Sequence, residues 1–246
     1  MTGPRAIRTT SPAFRAAVAE LAPSVRLLDE PGAVEVVDGR GAWWERAAKI
    51  DRAAGIVIDE PDPAPAAAHA DVASLPFPVV VLRRRLRPDV VADAELDAPR
   101  HVTVDAWGGR SGAAALLRDA VGWARVLAGG RLRLVARAEA PAATTLALAG
   151  PAGVGASVLR AVGGGVGGML VATALDARRT EVRVDSARRI VEVAFDDVDG
   201  RVIRAPRRES AERLALRRIL AAIDAGTDPG DRVELAADDA IAVPGE

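Results

Sequence analysis

The chain has 246 residues, half of them hydrophobic, with 33 basic against 34 acidic side chains and a net charge of -1. That length buries a substantial core in one large or two small domains, and the balanced charge argues against a disordered tail and against a nucleic-acid binder. The absence of cysteine excludes a disulfide, a thiolate nucleophile and a zinc-thiolate site, and two histidines with no tyrosine leave few acid-base groups.

The opening "MTGPRAIR" lacks the basic and apolar regions of a secretion signal, and no later run reaches membrane-span length without charge or glycine. The expectation is a cytoplasmic protein with no membrane contact. Next, "RAIRTTSPAFRAAVAEL" at 5–21 reads as a short strand, a turn and a helix, the usual opening of a dinucleotide-binding domain. The turn is Thr9-Thr10-Ser11-Pro12 where such a domain carries glycines, and Ser11 before Pro12 suits an N-cap and a first helical position. Short apolar or β-branched runs at Ala6 to Thr9, Val25 to Leu28, Val34 to Val37, Gly55 to Ile58 and Val79 to Leu82 read as buried parallel strands. Helix-forming stretches at Pro12 to Leu21, Ala42 to Ala54 and Ala64 to Ala73 alternate with them, which predicts helices packed on a parallel sheet with right-handed connections. The proline-rich "DEPDPAPAAAHAD" at 59–71 reads as a surface connection. A polar stretch, Asp89 to Arg100, precedes the strand-like "HVTVDAW", and a boundary there gives domains 1–100 and 101–246.

From Ala113 to Ala128 the chain reads helical, stopped by Gly129-Gly130. Successive strand-like runs follow, from "RLRLVARAEA" through "TEVRVD" to "RVIRA", and read as an antiparallel meander. In "TEVRVD", Val182 and Val184 face one way while Glu181, Arg183 and Asp185 face the other, so one sheet face is expected to be wet. Gly163, Gly165 and Gly168 formally spell G-x-G-x-x-G, but they sit among strands rather than before a helix, which predicts a glycine-rich hairpin. A last helix at Ala211 to Ala225 carries Leu216, Ile219, Leu220 and Ile223 on one stripe, with Gly226 as its cap, and belongs to the second domain or returns to the first. His69 and His101 have no metal-ligand spacing, and no serine stands in a G-x-S-x-G setting.

Three stretches, "GAAALLRDAVGWARVLAGGRLRLV", "GGGVGGMLVATALDARRTEVRV" and "ESAERLALRRILAAIDAGTDP", resemble the Gfo/Idh/MocA family, the glucose-fructose oxidoreductase and inositol dehydrogenase type. The resemblance implies a shortened Rossmann-like parallel-sheet domain followed by an α+β domain with an open antiparallel sheet, which in the family carries the substrate site and often an oligomer interface. Three of the family's chemical motifs are altered here. The glycine-rich phosphate turn is replaced by Thr9, Thr10, Ser11 and Pro12, which leaves Thr9, Thr10 and Ser11 as cofactor-binding candidates. Leu82-Arg83-Arg84 stands where Glu-Lys-Pro is expected, and Arg83 stays protonated where a perturbed lysine gives up its proton. In the His-x-x-Asp motif Asp119 falls at the histidine and Gly122 at the aspartate, so Asp119 is the one candidate base. Trp107 and Trp123 would flank the family's substrate cleft, with core packing as the simpler role for each.

The favoured reading is an oxidoreductase-family homologue that has lost its dinucleotide and acid-base motifs. It serves as a non-catalytic structural or regulatory partner, forming a homo-oligomer, or a hetero-oligomer with a related oxidoreductase, through the C-terminal sheet, and takes no cofactor, metal or nucleic acid. The alternative is an NAD(P)-dependent dehydrogenase on a sugar, cyclitol or similar hydroxyl substrate, with Asp119 and Arg83 in unusual catalytic roles. A third is a non-redox enzyme that reuses the cleft.

Overall fold

A parallel strand buried on both faces needs helices on both, and the alternation in the first eighty residues supplies them. The computed structural model describes residues 4–29, 31–94, 99–163 and 168–243. The chain forms two compact units, Met1–Arg84 with Arg208–Ala236, and Arg85–Arg207 with Ala237–Glu246.

The first unit runs β1 (Arg5–Arg8), α1 (Pro12–Glu20), β2 (Val25–Leu27), β3 (Val34–Asp38), α2 (Trp43–Ala48), β4 (Gly55–Asp59), α3 (Ala66–Ala73) and β5 (Val79–Leu82). Its sheet has the order β2-β1-β3-β4-β5, every pairing parallel. Successive side chains leave a strand on opposite faces, so Ile7, Val57, Val80 and Leu82 meet Phe14 and Val18 of α1. Ile56, Ile58, Val79 and Val81 meet Trp43, Ala68 and Val72 on α2 and α3. The step from β2 to β3 is unusual: parallel strands ordinarily need a crossover of a dozen residues or more, most often a helix, yet here only residues 28–33 separate the two, and the described ones among them form no helix. Leu28 N–H donates to the Ile7 carbonyl at the end of β2, and the Ala33 carbonyl accepts from Ala54 N–H at the entry to β3.

The second unit contains α4 (Pro88–Val91), β6 (His101–Gly108), α5 (Ala113–Leu127), β7 (Arg133–Ala140), β8 (Ala143–Ala149), a 3-10 turn at Pro151–Gly153, β9 (Gly155–Val162), β10 (Gly168–Leu175), β11 (Arg179–Asp185), β12 (Ile190–Asp197) and β13 (Gly200–Ile203). Its sheet runs β13-β12-β11-β10-β6-β9-β8-β7. The meander expected from the sequence is interrupted: β6 inserts between β9 and β10, parallel to the first and antiparallel to the second. The hairpin expected at Gly163 to Gly168 is therefore absent, since its flanking strands do not pair with each other. Residues 164–167, Gly165 among them, lie outside the described residues. Val102, Val104 and Ala106 of β6 are buried with Leu117, Val121 and Trp123 of α5, which turns Thr103, Asp105 and Trp107 to the other face of the sheet.

The chain then returns to the first unit with α6 (Ala211–Ala225), the helix that the 1–100 and 101–246 division places in the second domain. Ser210 accepts the Arg213 N–H as N-cap, and Gly226 at φ 63° ends the helix. Leu216 and Ile219, both without solvent exposure, pack with the α1-side residues of the parallel sheet, and this apolar match sets the destination of the helix. A further helix, α7 (Asp231–Ala242), begins in the first unit and ends in the second; its Val233, Leu235 and Ile241 give a sparse apolar signal in sequence. Among the described residues no helix is long and apolar enough to cross a membrane.

If α6 is structural in the first unit, Ile219→Ala leaves a cavity against the sheet and lowers the unfolding free energy by about 2–5 kcal/mol. Urea denaturation followed by tryptophan emission measures it, and a change under about 0.5 kcal/mol contradicts the placement.

Candidate functional site

In a doubly wound sheet, ligands bind beyond the carboxyl ends of the strands where the strand order reverses. In this sheet that point is β1, with β2 on one side and β3 on the other. A cleft of about 510 Å³ opens there, lined among others by Arg8, Thr9, Thr10, Arg15, Asp29 and Glu35. The candidates Thr9 and Thr10 thus come together at one site. Ser11 takes the N-cap position in an extended conformation, but its side chain makes no capping bond. Its backbone N–H instead donates to Thr9 Oγ1 at 3.1 Å.

A dinucleotide diphosphate needs free backbone N–H groups at this helix start and no side chains in the way. Pro12, at the first helical position, has no N–H, and the Ser11 N–H is engaged. The side chain preceding the turn is Arg8. Its Nε and Nη2 each lie 2.6 Å from a Glu35 carboxylate oxygen, and Nη1 lies 3.0 Å from Asp29 Oδ1. The bond to Glu35, and after it the bond to Asp29, pushes the Arg8 guanidinium still further up in pKa. Of the two arginines that line the cleft, Arg8 is thereby already paired with carboxylates. Asp29 stands twenty residues beyond Thr9, about where a dinucleotide fold keeps the acid that binds a ribose hydroxyl. That spacing is a signal the sequence carries. Here the carboxylate is bound to Arg8.

Farther along the same strand ends, Gly39 closes on the next loop: a Cβ there would fall 2.4 Å from Pro61 Cα and N, so only glycine fits between β3 and β4. Glu60 follows β4 in the left-handed region at φ 51°, a strained backbone for a side-chain-bearing residue. Arg83, beyond β5, is buried at 6% exposure. Its neighbour Arg84, which the motif comparison places at a proline, is the residue that meets the carboxylates. Its Nη1 lies 2.9 Å from Asp59 and its Nη2 2.7 Å from Glu212, while its backbone N–H donates to Glu60 Oε1. Burial pushes the Asp59 carboxyl above its ordinary 3.8, against the opposing pull of the Arg84 charge.

Asp119 belongs to the second unit, on α5, with no solvent exposure. Its Oδ2 lies 3.3 Å from Arg85 Nη1 and its Oδ1 3.2 Å from Arg118 Nη2. Arg118, equally buried, reaches Asp239 of α7 at 4.0 Å, and Arg125 holds Asp238 at 2.7 Å. A general base must come within hydrogen-bond reach of a ligand proton. Asp119 has both oxygens on guanidinium groups and no face toward solvent. Trp123 is a core residue, its Nε1–H donating to the Arg85 carbonyl at 2.6 Å, whereas Trp107 is 40% exposed on the sheet. Trp43 is buried against Trp44 and His69. Among the described residues no three His, Asp or Glu side chains are grouped to hold a metal ion.

No protein-family model matches the chain, and no curated protein matches it either. Solved structures do. A UDP-N-acetylglucosamine 3-dehydrogenase from Acidithiobacillus ferrooxidans is 14% identical and superposes with a TM-score of 0.62 over 99% of this chain and 96% of its own. An aldose-aldose oxidoreductase from Caulobacter crescentus, complexed with glycerol, is 13% identical, TM-score 0.62, over 97% and 86% of the two chains. A 3-ketoreductase from Actinomadura kijaniata, in complex with TDP-benzene and NADP, is 11% identical, TM-score 0.62, over 98% and 96%. The chain has the fold of the Gfo/Idh/MocA-type dehydrogenases. Within that fold, the first unit is the Rossmann-like domain and the second the open-sheet domain.

Two outcomes follow from the charges. Asp119→Ala strands buried guanidinium groups and is expected to cost about 3–5 kcal/mol in urea unfolding, while Asp119→Ala with Arg118→Met recovers part of that loss. No recovery in the double variant contradicts the buried pairing. Asp59 has the opposite pH sense from a salt-bridged acid: its folded-state pKa lies above the unfolded value near 3.8, so its contribution to stability is present below that value and is lost as pH rises through the folded-state pKa. The urea midpoint of Asp59→Asn, relative to the unmodified chain, is therefore expected to climb as pH rises from about 4; a gap that stays flat or narrows contradicts the assignment.

Proposed function

We propose that this chain is a non-catalytic member of the Gfo/Idh/MocA-type oxidoreductases. It keeps the two-unit scaffold without hydride transfer and acts as a structural or regulatory partner. The observation that carries this reading is Asp119, sealed from solvent between Arg85 and Arg118 at the position where the resemblance expects an acid-base histidine. Hydride removal from a hydroxyl carbon requires a group that takes the hydroxyl proton, and this carboxylate is committed to internal pairing. The crowded turn at Thr9 to Pro12 and the neutralised Arg8 support the same reading on the coenzyme side, so no NAD(P) is assigned. The partner surface in this proposal is the face of the second unit's sheet opposite α5, where Trp107, Leu159 and Leu175 are each about two-fifths exposed. The occupant is another copy of the chain or a related oxidoreductase.

The second reading is an NAD(P)-dependent dehydrogenase on a sugar or cyclitol hydroxyl, with Arg83 and Asp119 in unusual roles. One observation favours it: the cleft with Thr9, Thr10 and Arg15 lies at the strand-order reversal where such folds bind nucleotides. The experiment that separates the two is titration with NADH and with NADPH, read by energy transfer from the tryptophans. An absorbance assay for hydride transfer with aldoses, cyclitols and nucleotide sugars accompanies it. No saturation at millimolar coenzyme and no turnover are expected; micromolar binding or measurable turnover overturns the non-catalytic assignment.

A further inference from the structure

A free sheet edge shows a row of unpaired N–H and C=O groups, which proteins ordinarily shorten, cover or charge. Three of the four edges formed by the described strands follow that rule. In the first unit β2 has three residues, and on β5 the Val81 N–H donates to Asp231 Oδ2 of α7 at 2.8 Å. In the second unit β13 has four residues. β7 differs: it has eight, all but Arg137 exposed. Its free groups follow from the ladder beside it. Val162 N–H donates to the Ala142 carbonyl, so the even-numbered residues of β8 bond to β9 and the odd-numbered ones to β7. Their partners Ala136, Ala138 and Ala140 bond inward, while Arg137 and Glu139 turn N–H and C=O to the outside. Before the register shift between Leu134 and Ala136, Leu134 does the same.

Neither charge nor bulk shields this length of edge. Arg137 and Glu139 neutralise each other at 2.6 Å, and the side chains alternating with them are alanines. At the entry to the strand the character changes. Leu134 and Val135 are 37% and 58% exposed, and the exposed Arg131 and Arg133 have no acidic partner among the described residues. We propose that the β7 edge takes an added strand, an extended acidic segment of another protein, paired along Leu134 to Glu139 with its carboxylates against Arg131 and Arg133. Strand addition draws affinity from main-chain hydrogen bonds and selectivity from the side chains alongside. The apolar positions of the added segment cover Leu134 and Val135, and its acids answer the two arginines. A second copy of the chain supplies no such acids from its own β7, where the single acid, Glu139, is held by Arg137. The pairing runs in the plane of the sheet and leaves its open face unused.

The probe is a capped, fluorescein-labelled peptide of alternating valine and glutamate, about ten residues long, titrated with the full chain and read by anisotropy. Saturable binding is expected, with a lysine-for-glutamate peptide and a proline-for-valine peptide each weaker by about tenfold or more. Leu134→Pro deletes an outward N–H without removing a bond to β8 and is expected to abolish binding while circular dichroism stays unchanged. Arg131→Glu combined with Arg133→Glu is expected to reverse the preference toward the lysine peptide. Both arginines are exposed, so this variant decides the question even where the proline disturbs the fold. No saturation by the glutamate peptide at millimolar concentration, equal binding of the two charged peptides, or a preference unchanged by the arginine substitutions overturns the proposal. So does a dimer of the chain alone, seen by sedimentation velocity and dispersed by Leu134→Pro, which would assign the edge to a second copy.

Discussion

The pairing of arginine with carboxylates that water cannot reach is the interaction on which both units depend. A buried carboxylate without a cation costs several kcal/mol, and a planar guanidinium, always charged and able to engage two oxygens, is the side chain best able to answer it. Around Asp119 the answer is given twice, by Arg85 and Arg118. The consequences spread outward from there. Arg85 is held in place through its carbonyl, which accepts the indole N–H of the fully buried Trp123, and Arg118 extends the network to Asp239 on α7. Asp238 and Asp239 of α7 are thus tied to α5 by charge, whereas α6 is fixed to the parallel sheet by apolar packing. Such networks specify an arrangement more than they stabilise it, because the same volume filled with apolar side chains would cost no desolvation.

The first unit uses the same chemistry for a different purpose. Only residues 28–33 separate β2 from β3, and the described ones among them form no crossover helix. Arg8 projects from β1 and binds Asp29 at the start of that connection and Glu35 on β3 beyond it. The side chain that ends β1 therefore ties down the short connection. A residue without a cation at position 8 would leave Glu35 buried and unpaired. Arg84 acts likewise at the other end of the strand row, gathering Asp59 and Glu212.

Much of this was legible in the sequence because it is local. The five parallel strands follow from β-branched runs bounded by turns. The final stripe at Leu216, Ile219 and Ile223 gave α6 with its C-terminal cap, and Val182 and Val184 separated cleanly from Glu181 and Arg183. Pairing between distant segments was not legible. Nothing in "HVTVDAW" says that it lies between two strands that come more than fifty residues later, since an edge and a central strand share the same alternation. α7 is hard to read from sequence because its apolar positions are few and two of its acids, Asp238 and Asp239, are buried on arginines. The site was legible only in part: Thr9 and Thr10 do line a cleft, but the ion pairs that decide its chemistry join residues tens of positions apart.

The same ion pairs bear on how charge is accommodated inside the second unit. A charge that faces an open cleft keeps much of its hydration, whereas one shut away from water must find its complement within the chain. Asp119, Arg85 and Arg118 compensate one another in that way, and Arg125 does the same for Asp238. Removing a single member of such a set leaves an uncompensated buried charge, so these positions tolerate paired replacement better than single replacement.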